Sequence, residues 1–414
     1  MPQGNTAPPP RLGLAPNLAQ FALLALDNVF VGMLVGSERA VVPLLGRQTF
    51  HVTSFVVLLS FIAAFGVVKG PLNLLAGHLA DRFGRRRVLL AGWAVGLPVP
   101  WLLLAAPNWA WVVAANLLLG ANQAFAWTMT VTSKIDLVGP RERGLALGIN
   151  EFSGYAGVAL ASAVTGGLAE RFGLRPAPFV FAAAVSVLGF LLPVFCVRET
   201  LDFARLEAVG LPRTAPADRP AVGAVFRRVS WDDRALLACC LAGMLNKFSD
   251  TAVWGLVPIA MTAERFSPAS IGATVGVYAL SWGVAQIGTG ALSDRIGRKP
   301  PVVAGLALNA LGLATAAVAH GGTGWLGGAV AMGLGTALLY PVLLAAISDA
   351  VHPEWRATAL GVYRFWRDGG YALGAWALGM GAGWLDPRGA FLALAAVLLI
   401  SAALAARWMR PGGS

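Results

Sequence analysis

Charge is what this sequence has least of. Only 12% of its 414 residues are Asp, Glu, Lys or Arg, about half the share found in soluble domains. With 57% apolar residues and a mean hydropathy of +0.69, there are too few polar groups to coat a water-facing surface. The same figures exclude disorder, which needs polar and highly charged chains. Cysteine is nearly absent: Cys196, Cys239 and Cys240 all sit inside apolar runs, which excludes a disulfide scaffold. His51, His78, His320 and His352 are scattered without ligand spacing, so no metal site is expected. No nucleophile, base and orienter can be assembled, which argues against an enzyme, and no Walker-type loop is present for ATP. What remains is an integral membrane protein of the all-α class, without a cofactor.

Long apolar runs are what the chain does have. A bilayer-crossing helix needs about 20 mostly apolar residues, and twelve such runs occur, at 18–43, 53–79, 86–106, 109–133, 143–170, 177–197, 233–261, 267–292, 300–320, 324–349, 356–385 and 388–408. The runs are continuous rather than alternating, so helices are expected and not barrel strands. The organisation predicted is a tail (1–17), a six-helix bundle (18–197), a linker (198–232), a second six-helix bundle (233–408) and a short tail (409–414). Met1 to Asn17 holds one cation, Arg11, and does not read as a secretory signal. The linker carries seven arginines up to Arg234 and prolines at Pro212, Pro216 and Pro220, and reads as a connector that is part amphipathic helix.

The net charge of +11 follows from topology and does not imply a nucleic acid, because no soluble basic face exists to bind one. Twenty-one cations cluster in the loops of one side, among them Arg82, Arg85, Arg86, Arg87, Lys134, Arg141 and Arg143. The opposite loops hold five: Arg47, Arg171, Arg175, Arg265 and Arg388. The positive-inside rule then places both termini in the cytoplasm of a multi-pass protein of the inner membrane.

The two halves are copies. Gly77-His78-Leu79-Ala80-Asp81-Arg82-Phe83-Gly84-Arg85-Arg86-Arg87 follows span two, and Gly290-Ala291-Leu292-Ser293-Asp294-Arg295-Ile296-Gly297-Arg298-Lys299 follows span eight. The offset of 213 persists: Gly70 matches Gly283, Gly120 Gly333, Asp136 Asp349, Pro140 Pro353, and Arg143 Arg356. Duplicated halves are how many secondary transporters are built, with the substrate site near mid-membrane between them. The doubled G-x-L-A-D-R-x-G-R-R-R pattern resembles the signature of the major facilitator superfamily, over essentially the whole chain. The resemblance implies two six-helix pseudo-symmetric bundles around a cavity that opens alternately to each side, in a protein that is usually monomeric. It also implies that Asp81 faces the start of span eleven near Arg356, and Asp294 the start of span five near Arg143. A carboxylate at a helix N-terminus contributes about 0.3–1 kcal/mol, a latch weak enough to release in each cycle.

Ten charges fall inside spans and balance: Asp27, Glu38, Glu151, Asp250 and Asp368 against Arg39, Lys69, Lys247, Arg364 and Arg367. Each costs at least about 2.5–3.5 kcal/mol at a helix centre, so each should face a cavity or a partner. Asp27, Glu151 and Asp250 are the candidates for proton coupling. A carboxyl raised by desolvation loads and unloads near neutral pH, which favours Asp27 and Glu151, whereas Lys247 beside Asp250 keeps that acid ionised. Cavity candidates are Lys69 and Asn73, four apart beside an expected kink at Gly70-Pro71; Asn122, Gln123 and Trp127; Asn150 and Tyr155; Asn246 and Lys247; and Arg364 and Asp368. Glu151 and Arg364 are repeat partners, so they either pair across the cavity or hold opposite ends of a substrate, with Arg364–Asp368 the competing local pair. Glu38–Arg39 and Arg367–Asp368 read as structural pairs. Asp27 also resembles the span-one acid of proton-coupled drug exporters in the family. Gly120 stands where those exporters carry a span-four arginine, and their span-five Gly-Pro is replaced around Ser162-Ala163.

The reading is a secondary transporter coupled to protons, exporting or exchanging a small organic solute as an antiporter. Uptake of an organic or inorganic anion by symport, clamped by Lys69, Lys247 and Arg364, is the alternative, and a non-transporting receptor or scaffold a third.

Overall fold

In a computed structural model the described residues are 11–139, 142–208, 221–351 and 355–410. Pro140, Arg141, His352, Pro353, the linker's Pro212, Arg213, Pro216, Arg219 and Pro220, and the outer parts of both tails lie outside them. All regular structure among the described residues is helical. The first crossing runs through α1 (Leu18–Arg39) and α2 (Val42–Gln48), the second through α3 (Phe55–Leu58) and α4 (Ser60–Phe83). The third joins α5 (Arg85–Gly96) to α6 (Val99–Ala105), and α7 (Trp109–Val138), α8 (Arg143–Phe172) and α9 (Ala177–Phe195) complete the first half. Short α10 (Leu201–Ala208) and α11 (Val222–Arg227) lie in the linker. The second half comprises α12 (Arg234–Thr251) with α13 (Val257–Ala263), then α14 (Pro268–Ile296), α15 (Lys299–Val318), α16 (Gly322–Ala350) and α17 (Arg356–Trp408).

Nine of these helical stretches are long and apolar enough to cross a membrane, and the bent pair Ser60–Asn73 and Leu75–Phe83 is a tenth. Polar side chains lower the hydropathy of α7, but its 30 residues span the same thickness. The 53-residue α17 counts twice, because Asp386 leaves the helical region at φ 63°, ψ 173°. Pro387 disfavours the helical conformation of the residue before it, and the Asp386 carboxylate accepts the N–H of Gly389 at 2.9 Å to start the last helix. The described residues therefore supply twelve crossings, as expected from the apolar runs. Large apolar side chains exposed around the bundle, such as Val67, Leu160, Phe195, Leu311 and Ile400, face the acyl chains.

Three local departures shape the interior. The bend in α4 is 46° and falls between Asn73 and Leu75, beyond the expected Gly70-Pro71 position. Between α12 and α13 the chain widens into a π turn, Ala252–Leu256, where Pro258 offers no N–H to the carbonyl of Trp254. The α7 helix runs on to Val138, so Lys134 is a helical residue and wholly buried rather than a loop cation.

Close helix crossings use glycine. A methyl group added at Gly32 of α1 would fall inside the carbonyl oxygen of Gly154 on α8, and one at Gly36 would meet Val158. Gly32→Ala is expected to destabilise the fold by about 1–3 kcal/mol or more through overpacking, read as a drop in thermal midpoint in detergent. Gly167→Ala, with open space around the added methyl, should leave the midpoint unchanged.

The halves converge at one end and part at the other. Along α8 and α14 the clearance for an added methyl is 2.6 Å at Gly166, 2.9 Å at Gly276, 3.1 Å at Gly283 and 4.0 Å at Gly148. Along α3, α4 and α17 it is 2.7 Å at Gly379, 2.5 Å at Gly66 and 3.8 Å at Gly70, and Gly77 has no neighbour within 4 Å among the described residues. Both pairs open toward the face that carries the repeated Asp-Arg loops. The opposite end is sealed.

Candidate functional site

The repeated loops adopt one geometry twice. Gly84 and Gly297 close them with φ of 93° and 86°, a conformation that glycine alone adopts without strain. Arg85 binds Asp81 at 3.0 Å and Asp136 at 2.9 Å, and Arg298 binds Asp294 at 2.5 Å and Asp349 at 2.9 Å. Asp136 and Asp349, matched by the offset of 213, thus serve as anchors on the neighbouring helix of each half. The Asp81 and Asp294 side chains are 75% and 65% exposed and turn back onto their own arginines. Cross-half contacts of Asp81 with Arg356 and of Asp294 with Arg143 are not among the described ion pairs, as the parted halves on this face require. Gly77, Arg82, Gly290 and Arg295 complete the two loops, and both arginines are exposed.

Deeper in the first half a polar chain links α1, α7 and α8. The Nδ2 of Asn28 donates to the carbonyl of Asn150 at 2.6 Å, and the Thr130 hydroxyl donates to Asn28 at 3.0 Å. Lys134 donates to the Asn150 Oδ1 at 2.6 Å, and the Asn150 Nδ2 donates to Glu151 Oε1 at 3.1 Å. The Trp127 indole donates to that same oxygen at 3.0 Å. Glu151 Oε2 carries no hydrogen bond among the described residues. Asp27 is fully buried and accepts from Trp93 of α5 at 3.2 Å, so it turns into its own half. Asn122 and Gln123 are likewise fixed within that half, on the carbonyls of Gly92 and Val31 at 3.0 Å each.

In the second half Asp250 is the hub. Lys247 lies 2.5 Å away, the Tyr371 hydroxyl donates to it at 2.9 Å, and the Tyr278 hydroxyl makes a short bond to its other oxygen. Lys247 also stands over the Trp282 ring at 4.6 Å, while Asn246 donates to Thr336 at 3.3 Å. Arg367 pairs with Asp368 at 2.8 Å and lies over Tyr340 at 4.1 Å. Neither Glu151–Arg364 nor Arg364–Asp368 occurs among the described ion pairs; Asp368 is taken by Arg367 and by Asn73.

Several contacts bind the halves at this level, among them Phe65 edge-on to Tyr371 with ring centroids 5.4 Å apart. The Asn73 Nδ2 donates to Asp368 at 2.6 Å, and Tyr155 lies against Trp282 with ring centroids 3.6 Å apart and planes tilted by 31°. Trp127 flanks Tyr155 at 5.3 Å, and Lys69 lies over Trp127 at 5.8 Å and Phe65 at 5.2 Å. Lys69 and Arg364 are half-buried and have no hydrogen-bond or ion-pair partner among the described residues. Sequence reasoning missed Trp93, Lys134, Tyr278, Trp282, Tyr340 and Tyr371. Two of these had a signal, since the offset pairs Trp282 with Lys69 and the chain has few lysines; the tyrosines had none. A groove lined by Arg228, Asp232, Asp233, Arg234 and Arg410 starts thirteen residues before Lys247, about 20 Å along the helix, and does not belong to this site.

The Major Facilitator Superfamily model matches residues 28–246 and 239–413. A tetracycline resistance protein, class C, from Escherichia coli is 28% identical over 315 residues, covering 73% of each chain. An uncharacterised MFS-type transporter from Salmonella typhimurium is 26% identical over 384 residues, covering 89% of this chain and 91% of that one. Among solved structures, a bacterial homologue of the human lysosomal transporter Spinster superposes with a TM-score of 0.74 at 16% identity, covering 95% of this chain and 98% of that chain. With the doubled loop, the twelve crossings and the paired halves on the same chain, this is a transport protein and not an enzyme, and it belongs to the major facilitator superfamily.

Proposed function

We propose that the chain exports a small organic compound across the bacterial inner membrane in exchange for protons. The observation that carries this reading is Glu151, a carboxylate at the interface of the halves with one oxygen held by Trp127 and Asn150 and the other uncommitted. Asp27, buried against Trp93 in its own half, and Asp250, held by Lys247 and two tyrosines, are less able to meet both a proton and a substrate. The tetracycline resistance relative supports outward movement. The surplus of loop cations supports a cytoplasmic signature face with both termini inside; moving Lys134 into α7 leaves that imbalance intact. On this orientation the conformation is open to the cytoplasm, and export requires bundles 18–197 and 233–408 to rock about the central site, joined by the linker 198–232 in a monomeric unit. Asp81 and Asp294 would then meet the other half when the cytoplasmic end closes.

In everted membrane vesicles with an imposed pH gradient, tetracycline followed by a panel of amphipathic drugs is expected to accumulate with the native chain. Glu151→Gln should abolish that accumulation and make any remaining drug–drug exchange weaker and insensitive to the pH gradient, because the carboxylate both carries the proton and meets the substrate. Gradient-driven accumulation retained by Glu151→Gln would sink the proposal.

A further inference from the structure

The charged groups at the interface divide into those already paired and those left open. Lys247 is paired with Asp250, and Arg367 with Asp368. Lys69 from α4, Arg364 from α17 and Glu151 Oε2 from α8 are left open: Lys69 stands over Trp127 of the platform formed by Trp127, Tyr155 and Trp282, and Arg364 lies one turn before Asp368, which is bound across the interface by Asn73, one turn after Lys69. Arg364 and Lys69 both lie in the field of Asp368, and Arg364 and Glu151 both in that of Tyr340. From the first half Glu151 meets Lys134 through Asn150, and it also feels Lys69.

We infer that the transported compound is an amphipathic zwitterion: its acidic group sits between Lys69 and Arg364, its protonated amine on Glu151, and its flat apolar body on the Trp127–Tyr155–Trp282 platform. Two uncommitted cations on opposite halves suit an oxyanion held between them, and bonds to charged groups are the strong ones. The amine follows from exchange. A purely anionic solute would bind better when Glu151 is protonated, so proton and solute would travel together. A cationic group competes with the proton for one carboxylate, and competition is what exchange needs. The aromatic faces add attraction for both the flat body and the amine. The inference rests on the reading of Glu151 as the exchanging group.

The test measures binding of three matched probes to the purified full chain by isothermal titration: 2-naphthylalanine, its N-acetyl derivative (acid only) and its methyl ester (amine only). The zwitterion is expected to bind about tenfold or more tightly than either derivative. Lys69→Met should remove its advantage over the ester, and a thermal midpoint equal to that of the native chain shows that the variant is folded. Glu151→Gln should remove its advantage over the N-acetyl derivative. An ester or N-acetyl derivative that binds as tightly as the zwitterion overturns the inference, as does no binding by any of the three. If the ranking holds but transport ignores the pH gradient, proton exchange fails and the zwitterion stands. If exchange depends on Glu151 but the ranking is absent, proton exchange stands and the zwitterion fails.

Discussion

Lys247→Ala is expected to destabilise the protein by about 3–5 kcal/mol, the usual cost of breaking a buried ion pair by removing one partner. Asp250 would stay fully buried, with only the Tyr278 and Tyr371 hydroxyls to satisfy it. The double variant Lys247→Met with Asp250→Asn removes both charges, keeps an amide for the tyrosines, and should recover most of the loss. Asp250→Asn alone leaves a buried ammonium over the Trp282 and Tyr371 rings and should cost nearly as much as the alanine variant. Thermal unfolding in detergent reads all three. If Lys247 were instead a clamp for an anionic substrate, Lys247→Ala would lose ligand affinity at unchanged stability, and that outcome would overturn the structural assignment. The pair Lys247–Asp250 thus separates two uses of intramembrane charge that look alike in the sequence.

How far the sequence reads depends on the range of the forces involved. Apolar run lengths are dictated by the bilayer, so the twelve crossings and the linker are visible one span at a time. The internal repeat carries further, because a fixed offset links residues that need not touch. It matches Asp136 with Asp349, and these prove to be the anchors of Arg85 and Arg298. Pairing between helices is another matter. Glu38 and Arg39 look like an ion pair on paper, but successive side chains on a helix point about 100° apart. Glu38 accepts from Asn116 of α7 at 2.8 Å, while Arg39 turns to aromatic rings on other elements. Arg367 does reach Asp368, because Asp368 already faces Asn73 across the interface and the arginine folds back onto it. Lys134 reads as a loop cation for a similar reason: its burial depends on Asn150 sixteen residues on, which no hydropathy window sees. Of the cavity candidates, Lys69, Asn73, Trp127, Glu151, Tyr155 and Arg364 lie at the interface, whereas Asn122 and Gln123 are polar links inside one half.

Arg39→Met is expected to stabilise this conformation, because a buried cation without a hydrogen bond carries a desolvation cost that methionine does not. Arg39 is fully buried, and its Nε, Nη1 and Nη2 have no hydrogen-bond partner among the described residues. Its guanidinium lies 4.9 Å from the rings of Phe65 and Trp254 and 5.7 Å from that of Phe61. Cation–π attraction returns about 0.5–2 kcal/mol per ring, against a desolvation penalty of several kcal/mol for a buried ion, so the site remains costly. It lies at the sealed end, where Leu59 packs on Gly255 of the widened turn beside Trp254. Opening that end admits water to the guanidinium and recovers the penalty, so Arg39 acts as a spring against the seal. Methionine fills the volume, keeps contact with the rings and removes the spring. The thermal midpoint should therefore rise while exchange across the membrane slows, because the open state at that end becomes rarer. Arg39→Lys keeps the charge and should not raise the midpoint. A lowered midpoint in Arg39→Met with exchange intact would show instead that the aromatic cage holds the cation at a net gain.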